Sequence, residues 1–507
     1  MAETVASALR WWARTKGDQS AVIVGDGHIS YRLLHEWTGR LARKLADEGV
    51  KPGDRVGLLA PNCSQWPVAA LAVMKCGATL VPLNSRLKPA EIRKVADDAE
   101  ISAVIAAGTH LDVADEARAA GRDFTVWSLD VVDAQRHGDP DDFVVEPGEQ
   151  DPIAVIFTSG STGLSKGVIL TSRTLMGMVL ENTLTEEGFR PGTVTLLVLP
   201  LAFTPGLVYG LLITSVLGGT LIVEPDLNPA RAVTLIEKHS VRALFGVPLV
   251  FEALSRADGF VDADLSSLQT AIVGGAAVPA DLLRRWAQKG VLLRQIYGMT
   301  EAGGVATATL RDEALEHPDS CGSGSIFTEV DVMLADGSMA GPGEHGELVV
   351  RGPGVTPGYW NDPGTTATAI RDGWLHSGDV GVRDEQGRIT FVDRIKELII
   401  SGGINISPVE LETAIRAVDG VEEVAVIAAP DSRFGETPAA IITVAPDSGV
   451  TESTVIGHCE AVLSDYKVPR YVVLREEPLP RLPNGKLDKP AIRADYRDIP
   501  DRFSRVR

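Results

Sequence analysis

Thr158-Ser-Gly-Ser-Thr-Gly-Leu-Ser-Lys166-Gly167 packs three glycines, five hydroxyl side chains and one lysine into ten residues. Apolar runs flank it, Ile153-Ala-Val-Ile-Phe157 before and Val168-Ile-Leu170 after. The pattern predicts a polar loop between two buried strands. Glycines let the backbone approach a ligand closely, and successive N–H groups with hydroxyls can cradle phosphate oxygens. A Walker loop needs G-x-x-x-x-G-K-[ST]. Here Lys166 is followed by Gly167, so the loop belongs to another kind of nucleotide protein. A polar surface turn is the plainer alternative, but so dense a Gly/Ser/Thr/Lys segment is unusual between core strands.

Working outward, the strand and helix signals alternate from about residue 20 to 320, which predicts an α/β fold. Leu33, Leu34, Trp37, Leu41 and Leu45 recur at helical spacing behind Ser30, a candidate N-cap. Arg55–Ala60 reads as a buried strand, with a helix near Trp66–Cys76. From about 322 to 392, Gly and Pro become frequent and short alternating runs such as Gly346–Arg351 appear, predicting a smaller β-rich subdomain. A compact α+β domain follows. Its first helix opens on Ser407-Pro-Val-Glu410, a cap, a proline and a glutamate in capping-box spacing. The expected architecture is α/β: a large N-terminal domain of helix-flanked sheets (1–393, with its β-rich subdomain), then a small mobile α+β C-terminal lid (394–507).

Bulk composition narrows the functional classes. A 507-residue chain exceeds a single core, and 44% apolar with 23% charged residues is an ordinary globular balance. A formal charge of −20 argues against nucleic-acid and anionic-membrane partners. No apolar run reaches the roughly 18–20 residues of a membrane span, and the first twenty residues do not read as a secretory signal. Cys63, Cys76, Cys321 and Cys459 are dispersed, which speaks against a disulfide framework or zinc site and for a cytoplasmic location.

Further motifs carry chemistry. Gly274-Gly-Ala-Ala277 follows an apolar run and could lie against a flat ring. In Gln295-Ile-Tyr-Gly-Met-Thr-Glu301, Tyr297 offers an aromatic face, and Thr300 and Glu301 suit a phosphate and its Mg²⁺. Trp374-Leu-His-Ser-Gly-Asp379 places a carboxylate where a ribose diol could bind. Asp393-Arg-Ile-Lys-Glu397, Ser401-Gly-Gly-Ile-Asn405 and Pro483-Asn-Gly-Lys486 follow. Taken singly, a tight turn, a helix start, an Asx turn or an exposed N-G turn explains each.

In this order, the set resembles the adenylate-forming superfamily of acyl-CoA synthetases, aryl-CoA ligases, luciferases and peptide-synthetase adenylation domains, over roughly Ser30 to Lys489. The resemblance implies an ATP- and Mg²⁺-dependent carboxylic acid–CoA ligase. The acid attacks the α-phosphate to give acyl-AMP and pyrophosphate, and the thiol of coenzyme A then displaces AMP. It also implies roles. Thr158, Ser159, Ser161, Thr162 and Lys166 hold phosphates. Gly275, Ala276, Ala277 and Tyr297 bound the adenine. Thr300 meets the α-phosphate, Glu301 helps hold Mg²⁺, and Asp379 and Arg394 bind the ribose. Lys486 bridges substrate carboxylate and α-phosphate. Lys396 stands at the hinge, and Gly402 and Gly403 line the CoA tunnel.

Phe203, Val247, Met299, Gly303 and Val305 are the expected acyl-pocket residues, with Gly303 and Gly304 leaving room for a bulky group. Phe203 stands where many such ligases have a histidine. Thr204 and Pro205 stand where amino-acid-activating domains place an aspartate. A substrate without an α-amino group is expected, since an unpartnered buried ammonium is costly: a fatty, alicyclic or aromatic acid. The alternative is a standalone adenylation enzyme that loads a carrier protein and ignores free CoA. A homodimer is a further expectation. So is control by a lysine acetyltransferase at Lys486, which sits in a P-x-x-x-x-G-K pattern beginning at Pro480.

Overall fold

The computed structural model describes residues 3–145, 147–158, 166–276, 278–395, 397–401, 404–463, 465–482 and 485–507. They group into two compact units. The first comprises residues 1–331, 349–376 and 385–389, and the second residues 332–348, 377–384 and 390–507.

The first unit carries two sheets. One has eight strands, in the order Thr307–Ala308, Leu293–Tyr297, Thr270–Gly274, Ala243–Gly246, Val194–Leu197, Thr220–Val223, Ser20–Val24 and Gly27–Ser30. Its inner pairs are parallel, and only the two end pairs are antiparallel. The other has six, in the order Thr125–Ser128, Ile101–Ala106, Arg55–Leu59, Thr79–Leu83, Pro152–Thr158 and Lys166–Thr171. Parallel strands buried on both faces need continuous apolar runs, which is how Arg55–Leu59 and Thr79–Leu83 read. One core cluster takes side chains from both sheets, including Ile156, Leu170, Leu197 and Phe245, and encloses Trp37 and Trp66.

Ser30 caps the helix Tyr31–Asp47 by accepting from the Leu33 N–H at 3.2 Å. The helix Gln65–Lys75 is buried almost all round. Even Lys75 is 1% exposed, with its ammonium donating to the His35 carbonyl at 2.8 Å and lying 3.1 Å from His35 Nδ1. Between 322 and 392 the regular structure is mostly strand: Glu329–Met333, His345–Arg351, Ile370–Arg371, Trp374–Arg383 and Ile389–Arg394.

In the second unit, a sheet runs in the order Ile404–Ile406, Ile399–Ser401, Gly435–Val444 and Val421–Asp431, with Tyr471–Arg475 pairing parallel to Gly435–Val444. Helices Pro408–Arg416 and Glu452–Val462 pack on it through Leu411, Ile415, Val455 and Cys459. Ser407 caps as expected, accepting from the Glu410 N–H at 3.3 Å. The Glu410 carboxylate, however, does not close a capping box. It accepts from Lys467 Nζ at 2.6 and 2.8 Å, because an ammonium offers a charge-assisted bond that the backbone amide cannot match.

Candidate active site

The phosphate-loop motif emerges from the strand Pro152–Thr158 and returns as Lys166–Thr171, the two pairing antiparallel with Thr158 opposite Lys166. Ser159, Ser161 and Thr162 lie outside the described residues, as do Ala277, Lys396, Gly402 and Gly403. Thr158 and Lys166 are both half-buried at the loop's base.

Lys166 Nζ sits 5.1 Å from the ring centre of Tyr359, within cation–π range. The Tyr359 hydroxyl donates to Glu301 Oε1 at 2.9 Å. Burial and the Glu301 charge both push the Tyr359 phenol above its usual pKa, so it remains a donor. Glu301 belongs to the short turn Thr300–Ala302, buried at 8% exposure, and its carbonyl accepts from the Thr356 N–H at 2.8 Å. The neighbouring Thr300 hydroxyl lies 2.8 Å from that of Thr204. Lys166 and Glu301, from separate sequence motifs, are therefore brought together through Tyr359, which no motif indicated. A single buried carboxylate beside a phosphate-type loop fits Mg²⁺, a hard ion that takes oxygen ligands and keeps several waters.

Gly275 and Ala276 form an exposed bend after the strand Thr270–Gly274. Gly275 has φ +79°, and a Cβ there would lie 3.7 Å from Val247 Cγ1. Val247 therefore stands beside the expected adenine turn. Tyr297 ends the adjacent strand, buried, with its N–H on Thr307 Oγ1 at 3.2 Å.

The glycines expected to leave room in the acyl pocket lie in close contact with neighbouring side chains. Gly303 and Gly304 have φ +77° and +106°, which already favours glycine. A Cβ at Gly303 would fall 2.4 Å from Met178 Sδ, and one at Gly304 3.0 Å from the Tyr209 ring. They permit the close approach of Met178 and Tyr209.

A cavity of about 270 Å³ lies next to them, with Val305 in its wall. Met178, Asn182, Tyr209, Ala302 and Ala306 also line it. Phe203, Val247, Met299 and Gly303 are not in its wall. Tyr209 stacks obliquely on Phe245 and Phe189, with centroid distances of 5.0 and 6.4 Å. Its oxygen bonds to the Val305 backbone and the Asn182 side chain, and burial raises its pKa. Asn182 and Tyr209 carried no sequence signal, since Asn182 lies in the polar run Glu181–Thr183, Tyr209 in an apolar one, and the two meet only in the fold.

In the second unit, Asp379 is 6% exposed and lies 3.4 Å from Arg394 Nε through Oδ1. The turn that presents it is firmly built. Ser377 Oγ donates to the Leu348 carbonyl at 2.6 Å, and the Asp379 N–H donates to Ser377 Oγ at 3.1 Å. Gly378, at φ +74°, donates its N–H to Glu347 and accepts from Ile395 N–H. A carboxylate acceptor beside a guanidinium donor suits a vicinal diol.

Lys486 closes a turn in which Leu482 N–H donates to its carbonyl and Gly485 N–H to that of Leu482, both at 2.8 Å. Its residue surface is open to solvent, but surrounding protein and then the Arg394 charge lower its pKa, with Asp379 opposing. Asp379, Arg394 and Lys486 thus form one electrostatic group. Next to it, Lys489 bridges Glu412 at 2.8 Å and Glu397 at 3.4 Å, an anchor that the sequence reading did not single out.

The glycine-rich loop motif, the buried Glu301 near Lys166 and the paired Asp379 and Arg394 are features that suit a nucleotide-binding enzyme. The chain belongs to the AMP-binding enzyme family, whose model matches residues 9–360, and the family's C-terminal domain matches 410–486. It is 38% identical to a feruloyl-CoA synthase of Amycolatopsis over 96% of this chain and 97% of the relative. It is 33% identical to a long-chain-fatty-acid–CoA ligase of Mycobacterium tuberculosis, over 93% and 94%. Among solved structures, ATP-bound MatB from Rhodopseudomonas palustris superposes with a TM-score of 0.87 at 28% identity, over 98% of this chain and all of that one. Among the described residues no helix is long and apolar enough to cross a membrane.

Proposed function

We propose that this AMP-forming acid–CoA ligase, which uses ATP, Mg²⁺ and CoA, activates a compact aromatic or alicyclic carboxylic acid. The observation that carries the choice of acid is the cavity beside Gly304. At about 270 Å³ it lies at or below the usual ~300–1,000 Å³ of ligand pockets, and the Tyr209 ring in its wall is backed by the buried rings of Phe245 and Phe189. So small a cavity favours a compact ring over a long flexible chain, and the 38% identity with the feruloyl-CoA synthase supports the same reading.

A carboxylate oxygen of the acid attacks the α-phosphorus, and the bond to pyrophosphate breaks. The CoA sulfur then attacks the acyl carbon, and the bond to AMP breaks. In the first step, Thr158, Lys166 and the intervening Ser159, Ser161 and Thr162 would hold the β- and γ-phosphates. Gly275, Ala276, Ala277 and Tyr297 would bound the adenine, and Thr300 would meet the α-phosphate. Bound Mg²⁺ would neutralise phosphate charge, with Glu301 as its protein ligand. Asp379 and Arg394 would take the ribose. Lys486 would stabilise the charge that develops between acid and α-phosphate. Lys396, Gly402 and Gly403 would serve the thioester step as hinge and CoA tunnel.

The exposed surface of Lys486 would also admit an acetyltransferase, which would remove its charge. Four free cysteines fit a reducing, cytoplasmic setting. Leu184, Leu249 and Val261 are exposed apolar residues of the kind a homodimer would cover. The test of function is an acid panel with ATP and CoA: ferulate and related aryl or alicyclic acids should yield AMP, pyrophosphate and a thioester. Release of ADP would refute the mechanism, and preference for hexadecanoate would refute the acid class.

A further inference from the structure

Resting on the reading that the first unit binds ATP with Mg²⁺, we propose that Tyr359 is a positioning residue for adenylation, keeping Lys166 and Glu301 apart and separately available to phosphate and metal. Its side chain is 7% exposed and engages both groups at once. The hydroxyl fixes Glu301 Oε1 at 2.9 Å, and the ring face holds Lys166 Nζ at 5.1 Å.

An ammonium and a carboxylate on neighbouring elements would otherwise tend to pair, and each would then be lost to the ligand it serves. The phenol interposes a neutral group between them. Fixing one carboxylate oxygen also orients the other, so less side-chain freedom is lost when a ligand arrives.

The backbone around Tyr359 is built for this placement. Residues 356–360 strap the strand that leaves the phosphate loop to the turn that carries Glu301. On one side, Trp360 N–H donates to Gly167 O at 2.7 Å, Ile169 N–H donates to Gly358 O at 3.2 Å, and Tyr359 bridges Val168. On the other, Thr356 N–H donates to Glu301 O at 2.8 Å, while its hydroxyl lies 2.8 Å from the Ile169 carbonyl. Loop strand and metal turn therefore cannot shift independently of Tyr359.

The test measures equilibrium binding of metal-free ATP and of Mn²⁺·ATP, the latter by the electron paramagnetic resonance of free Mn²⁺, on the full chain. Tyr359→Phe keeps the ring and removes the hydroxyl. It should weaken Mn²⁺·ATP about tenfold and metal-free ATP less than about twofold, the scale of one lost bond to a charged group. Tyr359→Leu, which also removes the ring from Lys166, should weaken both ligands. In Glu301→Gln, adding Tyr359→Phe should cause little further loss, because both changes act on one contact. Equal weakening of both ligands by Tyr359→Phe, or additive losses in the double variant, would overturn the proposal. If the unaltered chain bound no Mn²⁺·ATP, the ATP reading itself would fall. If it bound and Tyr359→Phe bound equally well, only the role of Tyr359 would.

Discussion

Arg294→Met should destabilise the first unit, and the structure sets the scale. Arg294 lies on the strand Leu293–Tyr297 at 9% exposure and pairs with Glu186, itself 6% exposed. Its Nε donates to the Thr309 carbonyl at 2.6 Å, and Glu186 Oε2 accepts from Thr270 Oγ1 at 3.3 Å. Both residues stand in the wall of the Tyr209 cavity. Methionine fills much of the same volume but leaves the Glu186 charge buried without its cation, a change that costs about 3–5 kcal/mol.

Burial already raises the Glu186 pKa against the pull of Arg294, so without Arg294 it must rise further. Native Glu186 would then keep a proton that the unfolded chain has released. Stability of the variant relative to the parent should therefore fall as pH rises from the ordinary carboxylate range through that raised pKa. Calorimetry at pH 5.5 and 8 reads this directly. At pH 8 the first transition should drop by about 5 °C or more, with a smaller drop at pH 5.5. Arg294→Met/Glu186→Gln, with no charge left to strand, should recover much of the loss. A single variant within about 1 kcal/mol of the parent, or a drop independent of pH, would falsify the view that Arg294 neutralises a buried carboxylate.

Three other outcomes are expected. Lys486→Ala should slow pyrophosphate release on the order of 10²–10³-fold, and conversion of supplied acyl-AMP at least tenfold less; equal losses in both steps would remove it from adenylation. Tyr209→Phe should lower kcat/KM for a hydroxylated aryl acid about tenfold while changing that for octanoate less than about threefold, and equal changes would take Tyr209 out of acid selection. Burial lowers the Lys75 pKa to about 7 from 10.5, so between those values the unfolded chain holds a proton that the native chain lacks. Stability should rise with pH across that window by up to about 1.4 kcal/mol per unit, and Lys75→Met should flatten the slope in pH-dependent denaturation; an unaltered slope would mean that Lys75 is not the titrating group.

The sequence by itself determined whatever a continuous stretch can encode. Alternating helix and strand signals follow local periodicity, so the helix after Ser30, the strands around the phosphate loop and the helix after Ser407 were legible from residues alone. The nucleotide motifs were legible for a related reason: a loop that cradles phosphate needs its glycines, hydroxyls and lysine within a few residues of backbone. Tertiary structure decided whatever depends on a partner distant in the chain. Tyr359 meets Glu301 across 58 positions, Arg294 meets Glu186 across 108, and Tyr209 joins Asn182 only because the helical segments Ser172–Thr185 and Pro205–Ile213 fold against each other. Gly303 and Gly304 could be read locally as small residues, yet the close approach of Met178 and Tyr209 to them is set only by the fold. Glu410 had the spacing of a capping box, yet Lys467 claimed its carboxylate. A one-dimensional pattern specifies which groups are present and what backbone they favour. Which opposite charge, donor or ring stands within a few ångströms of them is fixed only when the core packs.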